Sequence, residues 1–204
     1  MKRFLLLLIL LALASGARAD VAEEMTTAAY RDNPSAITDM LVRGVDPNIR
    51  DAKGRSALEV ALREQNERAL VALLASPQLD VNSVNAVGET PLMLAAIKAR
   101  LDWVQLFVKR GALINRAGWT PLHYAVSGDD NGVSLWLIQH GADTNARAPN
   151  GNTPLMMAAK YGPYDLATAL LKLGADKGLR NNDGATAADF AASVGRDPLV
   201  QQLR

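Results

Sequence analysis

Residues 151–176 read GNTPLMMAAKYGPYDLATALLKLGAD, and this stretch decides the fold. Thr153 is a good helix N-cap, and Pro154 is tolerated at the first helical position because its missing N–H would have no partner there. Gly162-Pro163 breaks this helix, and Gly174 ends the following one as a left-handed C-cap residue does. The stretch therefore predicts a pair of short helices that is followed by a turn.

The second helix of this pair has a broad apolar face. Its apolar positions are Leu166, Ala169, Leu170, Leu171 and Leu173. A lone amphipathic helix cannot hide so much apolar surface from water. In the first helix, Ala158 and Ala159 are small enough to let a neighbouring helix approach closely. We therefore expect each pair to gain its stability by stacking on the neighbouring pairs.

The same unit recurs along the chain in a fixed register. A glycine stands two residues before each helix start, at intervals of 34, 30, 33 and 33 residues: Gly54, Gly88, Gly118, Gly151 and Gly184. The clearest helix starts are Thr90-Pro91, Thr120-Pro121 and Thr153-Pro154. A second glycine motif closes the preceding helix pair, and its members include Gly44, Gly111, Gly141 and Gly174. Two motifs that keep one register indicate a repeat protein.

These motifs resemble those of the ankyrin repeat family, whose unit reads G-x-T-P-L-H and ends in L-L-x-x-G-A-D-x-N. The resemblance covers essentially all of the chain after residue 19. It implies an all-α ankyrin repeat solenoid of about six helix-turn-helix units with hairpin-like fingers. The units are predicted at approximately residues 20–50, 51–84, 85–117, 118–147, 148–180 and 181–204. The first and last units depart from the pattern as terminal capping repeats do, so we expect the repeat domain to be complete.

Residues 1–19 have the features of a secretory signal peptide. Lys2-Arg3 is a positive n-region, residues 4–14 are an apolar run, and Ala17-Arg18-Ala19 supplies the small residues of a cleavage site. The run is shorter than the roughly 20 residues that span a bilayer, which argues against a membrane anchor. We expect cleavage after Ala19, export to a Gram-negative periplasm or alternatively secretion, and no stable membrane insertion afterwards.

The composition argues against several classes of function. Lys and Arg number 22 against 21 Asp and Glu, so a nucleic-acid partner is not indicated. The chain has no cysteine, which excludes disulfides, thiolate zinc sites and cysteine nucleophiles, and its two histidines supply little for a metal site. No phosphate-binding, dinucleotide-binding or hydrolase motif occurs. We therefore expect a protein that is not an enzyme and that holds no metal or cofactor.

His123 is the natural candidate for a catalytic base, but it falls on the histidine of the T-P-L-H motif. The family resemblance implies that this residue bridges adjacent turns with hydrogen bonds. His140 precedes a glycine near a helix C-terminus, where the helix dipole favours it. Seven further side chains are assigned to packing in the core: Met93, Met156, Met157, Trp103, Tyr124, Trp136 and Tyr164.

The finger between the third and fourth units is short. From Asn115 to Gly118 the chain advances three residues, whereas the equivalent segment from Asn145 to Gly151 spans six. Either a surface loop has been trimmed without consequence, or the gap forms a notch beside Trp119. An exposed tryptophan at the centre of a concave face would be an anchor for a protein partner.

In ankyrin repeat proteins the partner usually lies on the concave face, which finger tips and exposed residues of the first helices form. The resemblance implies these contact residues: Arg50, Asp51, Lys53, Arg63, Lys98, Arg116, Trp119, Arg147, Asn150, Lys160, Tyr161 and Arg180. Four of the arginines recur at similar places in the fingers. They form either an ordinary solvated row or a basic line that meets an acidic partner, whose binding would weaken as salt rises.

These features predict a protein that is a monomer on its own and that acts by binding another protein. Some small exported bacterial ankyrin proteins, which this chain resembles, are thought to support an exported peroxide-defence enzyme, so one predicted role is an accessory factor of that kind. The alternative is an immunity protein that blocks a toxin acting in the periplasm. A secreted effector and an enzyme are weaker alternatives.

Overall fold

The computed structural model describes residues 19–128 and 130–204, so the predicted signal peptide lies outside them apart from Ala19. The chain divides into two compact units, with the boundary between Gly88 and Glu89. We call residues 19–88 the N-terminal unit and residues 89–204 the C-terminal unit, and each is described by itself.

The N-terminal unit consists of short helices joined by turns. Its helices are α1 (residues 19–30), α2 (Pro34–Val42), α3 (Ala57–Glu64) and α4 (Glu67–Leu74). Helix α4 packs against both α2 and α3. The finger that precedes α3 contains a single antiparallel bridge, between Arg50 and Ser56.

The C-terminal unit contains four helix pairs. They are α5 (Pro91–Ile97) with α6 (Leu101–Lys109), α7 (Pro121–Ala125) with α8 (Asn131–Gln139), α9 (Pro154–Tyr161) with α10 (Tyr164–Lys172), and α11 (Ala187–Ala192) with α12 (Asp197–Leu203). The first helices pack in the order α5, α7, α9 and α11, and each also contacts its own second helix. The described residues form helices and no strands, so the expected all-α ankyrin repeat solenoid is confirmed.

The Thr-Pro motifs begin helices in the way that the sequence indicates. The hydroxyl of Thr153 accepts the N–H of Met156 at 3.3 Å, while the Met156 sulfur accepts the N–H of Thr153 at 3.4 Å. Thr90 and Met93 form the same reciprocal pair, with both distances at 3.3 Å. Pro91, Pro121 and Pro154 each occupy the first helical position. These bonds satisfy backbone groups that a helix N-terminus otherwise leaves unpaired.

Glycines with positive φ close the second helices. Gly174 has a φ of +95°, the N–H of Ala175 bonds to the Leu170 carbonyl at 2.9 Å, and Gly174 itself bonds to Leu171 at 3.2 Å. Gly111 and Gly141 adopt the same conformation after α6 and α8, with φ values of +90° and +91°. A residue with a Cβ is strained in this region, so the second glycine motif marks where these three helix pairs end.

Asparagine side chains connect successive repeats. Asn145 donates its amide to the Gly174 carbonyl at 3.0 Å and accepts the N–H of Asp176 at 2.8 Å. Asn115 makes the equivalent pair of bonds with Gly141, at 2.7 Å, and with Asp143, at 2.9 Å. Each asparagine thus satisfies a donor and an acceptor of the next repeat, which fixes the spacing between repeats.

Of the seven side chains assigned to the core, three are buried, three are half-buried and one is exposed. Trp103 is 4% exposed, and Met93 and Met156 are also buried, as predicted. The prediction was wrong for Tyr164, which is 52% exposed. Tyr164 is the first residue of α10, at an end of the helix where its ring lies 4.9 Å from the Arg196 guanidinium. The remaining three, Met157, Tyr124 and Trp136, are half-buried.

Candidate interaction surface

The arginines of the fingers hold neighbouring fingers together. Arg50 donates to the Gly54 carbonyl of its own finger at 2.8 Å and to the Val84 carbonyl of the next finger at 2.7 Å. Arg147 likewise donates to the carbonyl of Arg180 at 2.8 Å, and Arg180 donates to its own finger. These three guanidinium groups remain exposed, but part of their hydrogen-bonding capacity is used within the fold. Arg116, in the short finger, is half-buried.

Asp51 does not fit the predicted contact surface, because it is only 5% exposed. Its carboxylate accepts the N–H groups of Lys53 and Arg55, each at 2.9 Å, and forms an ion pair with the Arg55 guanidinium at 2.6 Å. Burial by itself raises the pKa of Asp51, but the hydrogen bonds from Arg55 and Lys53 outweigh it and hold the pKa below its ordinary value. Asp51 therefore stabilises the finger turn, and its side chain is buried within the finger.

The other predicted contact residues differ in how accessible they are. Lys53, Lys98, Asn150 and Tyr161 are exposed, while Lys160 is half-buried. Arg63 is exposed and pairs with Glu59 at 3.1 Å, one turn earlier on α3. The Glu59 carboxylate of this pair is mostly buried, whereas the Arg63 side chain is 46% exposed.

The short finger lies against the finger that follows it. Gly118 has a φ of +84°, and a Cβ at this position would lie 3.7 Å from the Pro149 side chain. Trp119 follows directly and is half-buried rather than exposed, which corrects the prediction. Its ring stands edge-on to two rings of α7, at 5.3 Å from the His123 ring and 6.4 Å from the Tyr124 ring. Edge-to-face contacts of this kind are favourable and fix the indole in place.

Trp119 forms one wall of an open pocket of about 210 Å³ on the C-terminal unit. We call it the tryptophan pocket, and its lining residues are Ile97, Trp119, His123, Tyr124, Ser127 and Met157. Three first helices contribute to it, because Ile97 ends α5, Tyr124 belongs to α7 and Met157 belongs to α9. The pocket is predominantly apolar, and residues of this kind form the core of protein interfaces.

Sequence reasoning identified Trp119 but missed the residues that complete the pocket. The sequence predicts Tyr124 and Met157 as core residues, and it gives no indication of a role for Ile97 and Ser127. Tyr124 and Met157 also follow the T-P-L-H position directly in their units, so their side chains lie in one row across α7 and α9.

His123 is buried beneath this pocket and is 1% exposed. Its Nδ1 accepts the N–H of Thr120 at 3.2 Å, and its Nε2 lies 3.1 Å from the Asn152 carbonyl, to which it donates. Burial lowers the pKa of His123, and the hydrogen bond with Asn152 offsets this only in part. The imidazole therefore stays neutral near pH 7 and connects two repeats. Within the described residues, no group of three His, Cys, Asp or Glu side chains could hold a metal ion.

A His123→Met variant is expected to reduce the pH dependence of stability. Met93 and Met156 occupy the equivalent positions of α5 and α9, so methionine suits the site. As pH falls below about 6.5, the ordinary pKa of histidine, the unfolded chain takes up a proton that folded His123 resists, so stability falls. His123 contributes at most about 1.4 kcal/mol per pH unit to the slope of the free energy of unfolding against pH. Urea unfolding between pH 7.5 and 5 measures it.

The control for this experiment is His140→Gln, which alters the exposed histidine and leaves His123 in place. This variant keeps His123, so the part of the pH dependence of stability that His123 contributes should remain. If His123→Met kept that pH dependence as well, the histidine would not be the group that couples protonation to unfolding.

Comparisons with known proteins agree with this repeat architecture. A family model described as ankyrin repeats (3 copies) matches residues 25–117, 65–148, 112–181 and 133–204. The B-cell lymphoma 3 protein homolog of Mus musculus is 30% identical over 155 residues, which make up 72% of this chain and 35% of that protein. Rabankyrin-5 of Homo sapiens is 32% identical over 186 residues, or 91% of this chain and 15% of that protein.

The solved structures give the same result. The crystal structure of the ankyrin repeat domain of Bcl-3, described as a unique member of the IkappaB protein family, has a TM-score of 0.74. Its sequence identity is 29%, and the match covers 88% of this chain and 81% of that chain.

These matches define the family but not the specific role. The chain spans 35% and 15% of the lengths of the two curated relatives, and both come from animals. The resemblance to small exported bacterial proteins is not shown by them. The repeated motifs, the helix pairs and the family match over residues 25–204 agree, and the chain belongs to the ankyrin repeat family, whose repeats are protein–protein interaction modules.

Proposed function

We propose that this protein binds another protein through the face that the first helices of the C-terminal unit form. The observation that carries the proposal is the tryptophan pocket, where aromatic and aliphatic side chains are left open to solvent. Further rings on the same helices extend this surface, because Tyr161 is 51% exposed and Phe190 is half-buried. Aromatic side chains in a preformed depression are typical of the few residues that dominate binding energy.

The proposal includes export of the chain to the periplasm after cleavage behind Ala19. Its support is the sequence pattern of residues 1–19, with a basic start, a short apolar run and small residues before the cleavage site. In the described part of the chain, no helix is long and apolar enough to cross a membrane. The specific role that we favour is an accessory factor for an exported enzyme of peroxide defence, and the alternative is an immunity protein against a toxin.

Capture of the partner tests the proposed binding surface. The full-length chain is expressed in its source organism with a C-terminal tag and recovered from the periplasmic fraction together with bound proteins. Replacing Trp119 with alanine is expected to weaken binding of the captured protein about 30-fold, since truncation of a central anchor removes 2 kcal/mol or more. The measurement is a titration of the purified partner against each variant.

A matched control is Trp136→Ala, which removes a half-buried tryptophan of α8 that does not line the pocket. Equal losses of affinity for Trp119→Ala and Trp136→Ala would contradict the proposed surface.

N-terminal sequencing of the recovered protein tests export, because the mature chain should start at Asp20. An intact Met1 in the cytosolic fraction would contradict export. The activity of the captured protein decides between an accessory factor and an immunity protein.

A further inference from the structure

The size of the tryptophan pocket favours a single side chain as its occupant. Its volume is about 210 Å³. Pockets that hold small molecules are larger, at roughly 300–1,000 Å³, and they bury most of the ligand surface. This pocket is open at the surface and lies among the first helices, so its occupant would belong to a larger body that covers the surrounding face.

The walls of the pocket are fixed before any partner arrives. The indole of Trp119 is held edge-on against the His123 and Tyr124 rings. His123 is itself held from both sides by Thr120 and by the Asn152 carbonyl. Side chains that are already ordered lose little conformational freedom on binding, so a bulky apolar group can enter at low entropic cost.

The charges on these helices have one sign. Helices α5, α7 and α9 contain no Asp or Glu, whereas α9 contains Lys160 and Lys98 directly follows α5. Lys160 is three residues after the pocket residue Met157, so the two share a helical face. Its ammonium lies 5.2 Å from the Tyr161 ring and 6.0 Å from the Phe190 ring. Among the described residues, neither lysine forms an ion pair with a carboxylate.

We infer that the tryptophan pocket receives one bulky apolar side chain from an acidic segment of the partner protein, with carboxylates of that segment facing Lys98 and Lys160. This inference rests on the proposed function and specifies the chemistry of the partner. The apolar side chain supplies most of the affinity. The carboxylates meet helices α5, α7 and α9, which contain no Asp or Glu, and they set the specificity and the association rate.

A library of random 16-residue peptides displayed on phage provides a defined probe. Peptides are selected on the full-length chain and depleted on the Trp119→Ala variant, so that only sequences that need the pocket remain. The expected consensus is an aromatic or large aliphatic residue with Asp or Glu nearby. The best peptide is then synthesised and its affinity for each variant is measured by titration at low and at high salt.

Two variants at Ile97 distinguish the effect of charge on peptide affinity from the effect of apolar contact. Ile97 is 39% exposed at the end of α5, so both Ile97→Lys and Ile97→Glu are compatible with folding. Both remove the same apolar contact, but only glutamate repels an acidic peptide. We expect the glutamate variant to bind about tenfold more weakly than the lysine variant at low salt, with the difference shrinking as salt rises.

A second pair of variants tests the lysines directly. The double variant Lys98→Ala/Lys160→Ala is expected to weaken binding about fivefold. Its control, Lys109→Ala/Lys172→Ala, removes two exposed lysines from the second helices α6 and α10 and should have no effect.

The binding results distinguish a failure of the acidic-segment inference from a failure of the proposed binding surface. A consensus that needs Trp119 but lacks acidic residues, or equal affinities for the two Ile97 variants, would overturn the inference and leave the proposed binding surface intact. A selection that yields no peptide dependent on Trp119 would overturn the inference as well. The proposed function would fail separately, if Trp119→Ala left binding of the captured partner unchanged.

Discussion

An aspartate in place of Leu155 is expected to unfold the C-terminal unit. Leu155 is 1% exposed in α9, and this helix packs against α7, α10 and α11. Loss of the buried leucine removes about 2 kcal/mol of apolar burial, before any cost of the cavity. A carboxylate without a partner in an apolar core adds several kcal/mol more. The sum is comparable with the whole stability of a typical domain, which is about 5–15 kcal/mol.

Circular dichroism during heating measures this effect. For Leu155→Asp we expect either no cooperative transition from the C-terminal unit or a midpoint lowered by more than about 20 °C. The control is Leu113→Asp, which makes the same chemical change at a side chain that is 58% exposed in the segment between α6 and the short finger. This control should melt close to the wild type. A thermal melt unchanged by Leu155→Asp would refute the register in which residues 154–161 form a first helix.

The helix pairs could be predicted because their signals are local. Thr153 and Pro154 act on the backbone groups beside them, and Gly174 provides a conformation that other residues reach only with strain. The Thr-Pro start recurs in three units, and a closing glycine recurs at Gly44, Gly111, Gly141 and Gly174, so the register needed no knowledge of tertiary contacts. The all-α solenoid therefore followed from the sequence.

The site was less predictable because its residues act across repeats. Asp51 and Arg50 are both charged finger residues, yet one is buried in a turn and the other bonds to a carbonyl 34 residues away. Composition and spacing do not reveal such partners. Trp119 was expected to be exposed, but its burial depends on the rings of α7, which are four and five residues further along the chain. Only the folded arrangement shows that these residues form a pocket.

Gly162 has two roles, because it ends α9 and also allows a close approach to the end of α7. The Gly162-Pro163 pair was interpreted as a helix breaker, and α9 does end at this point. Gly162 is not in a left-handed conformation, since its φ is −80°. However, a Cβ at this position would lie 2.5 Å from the Val126 carbonyl oxygen at the end of α7 and 3.1 Å from the Ala158 carbonyl. The glycine is therefore required for close approach between two repeats.

Gly162→Ala is accordingly expected to destabilise the C-terminal unit by about 3 kcal/mol, because backbone atoms must move to relieve the contact. The measurement is the free energy of unfolding in urea. Gly128→Ala is the matched control, since its Cβ would meet no atom closer than 3.4 Å, and its stability should stay within about 1 kcal/mol of the wild type. Equal stabilities for the two variants would show that α7 and α9 do not approach each other as closely as the structure places them.

Gly162→Ala also tests whether the spacing of α7 and α9 shapes the tryptophan pocket, because Tyr124 and Met157 lie on these two helices. If the approach of α7 to α9 sets the width of the pocket, Gly162→Ala should weaken peptide binding under conditions in which the protein is still folded.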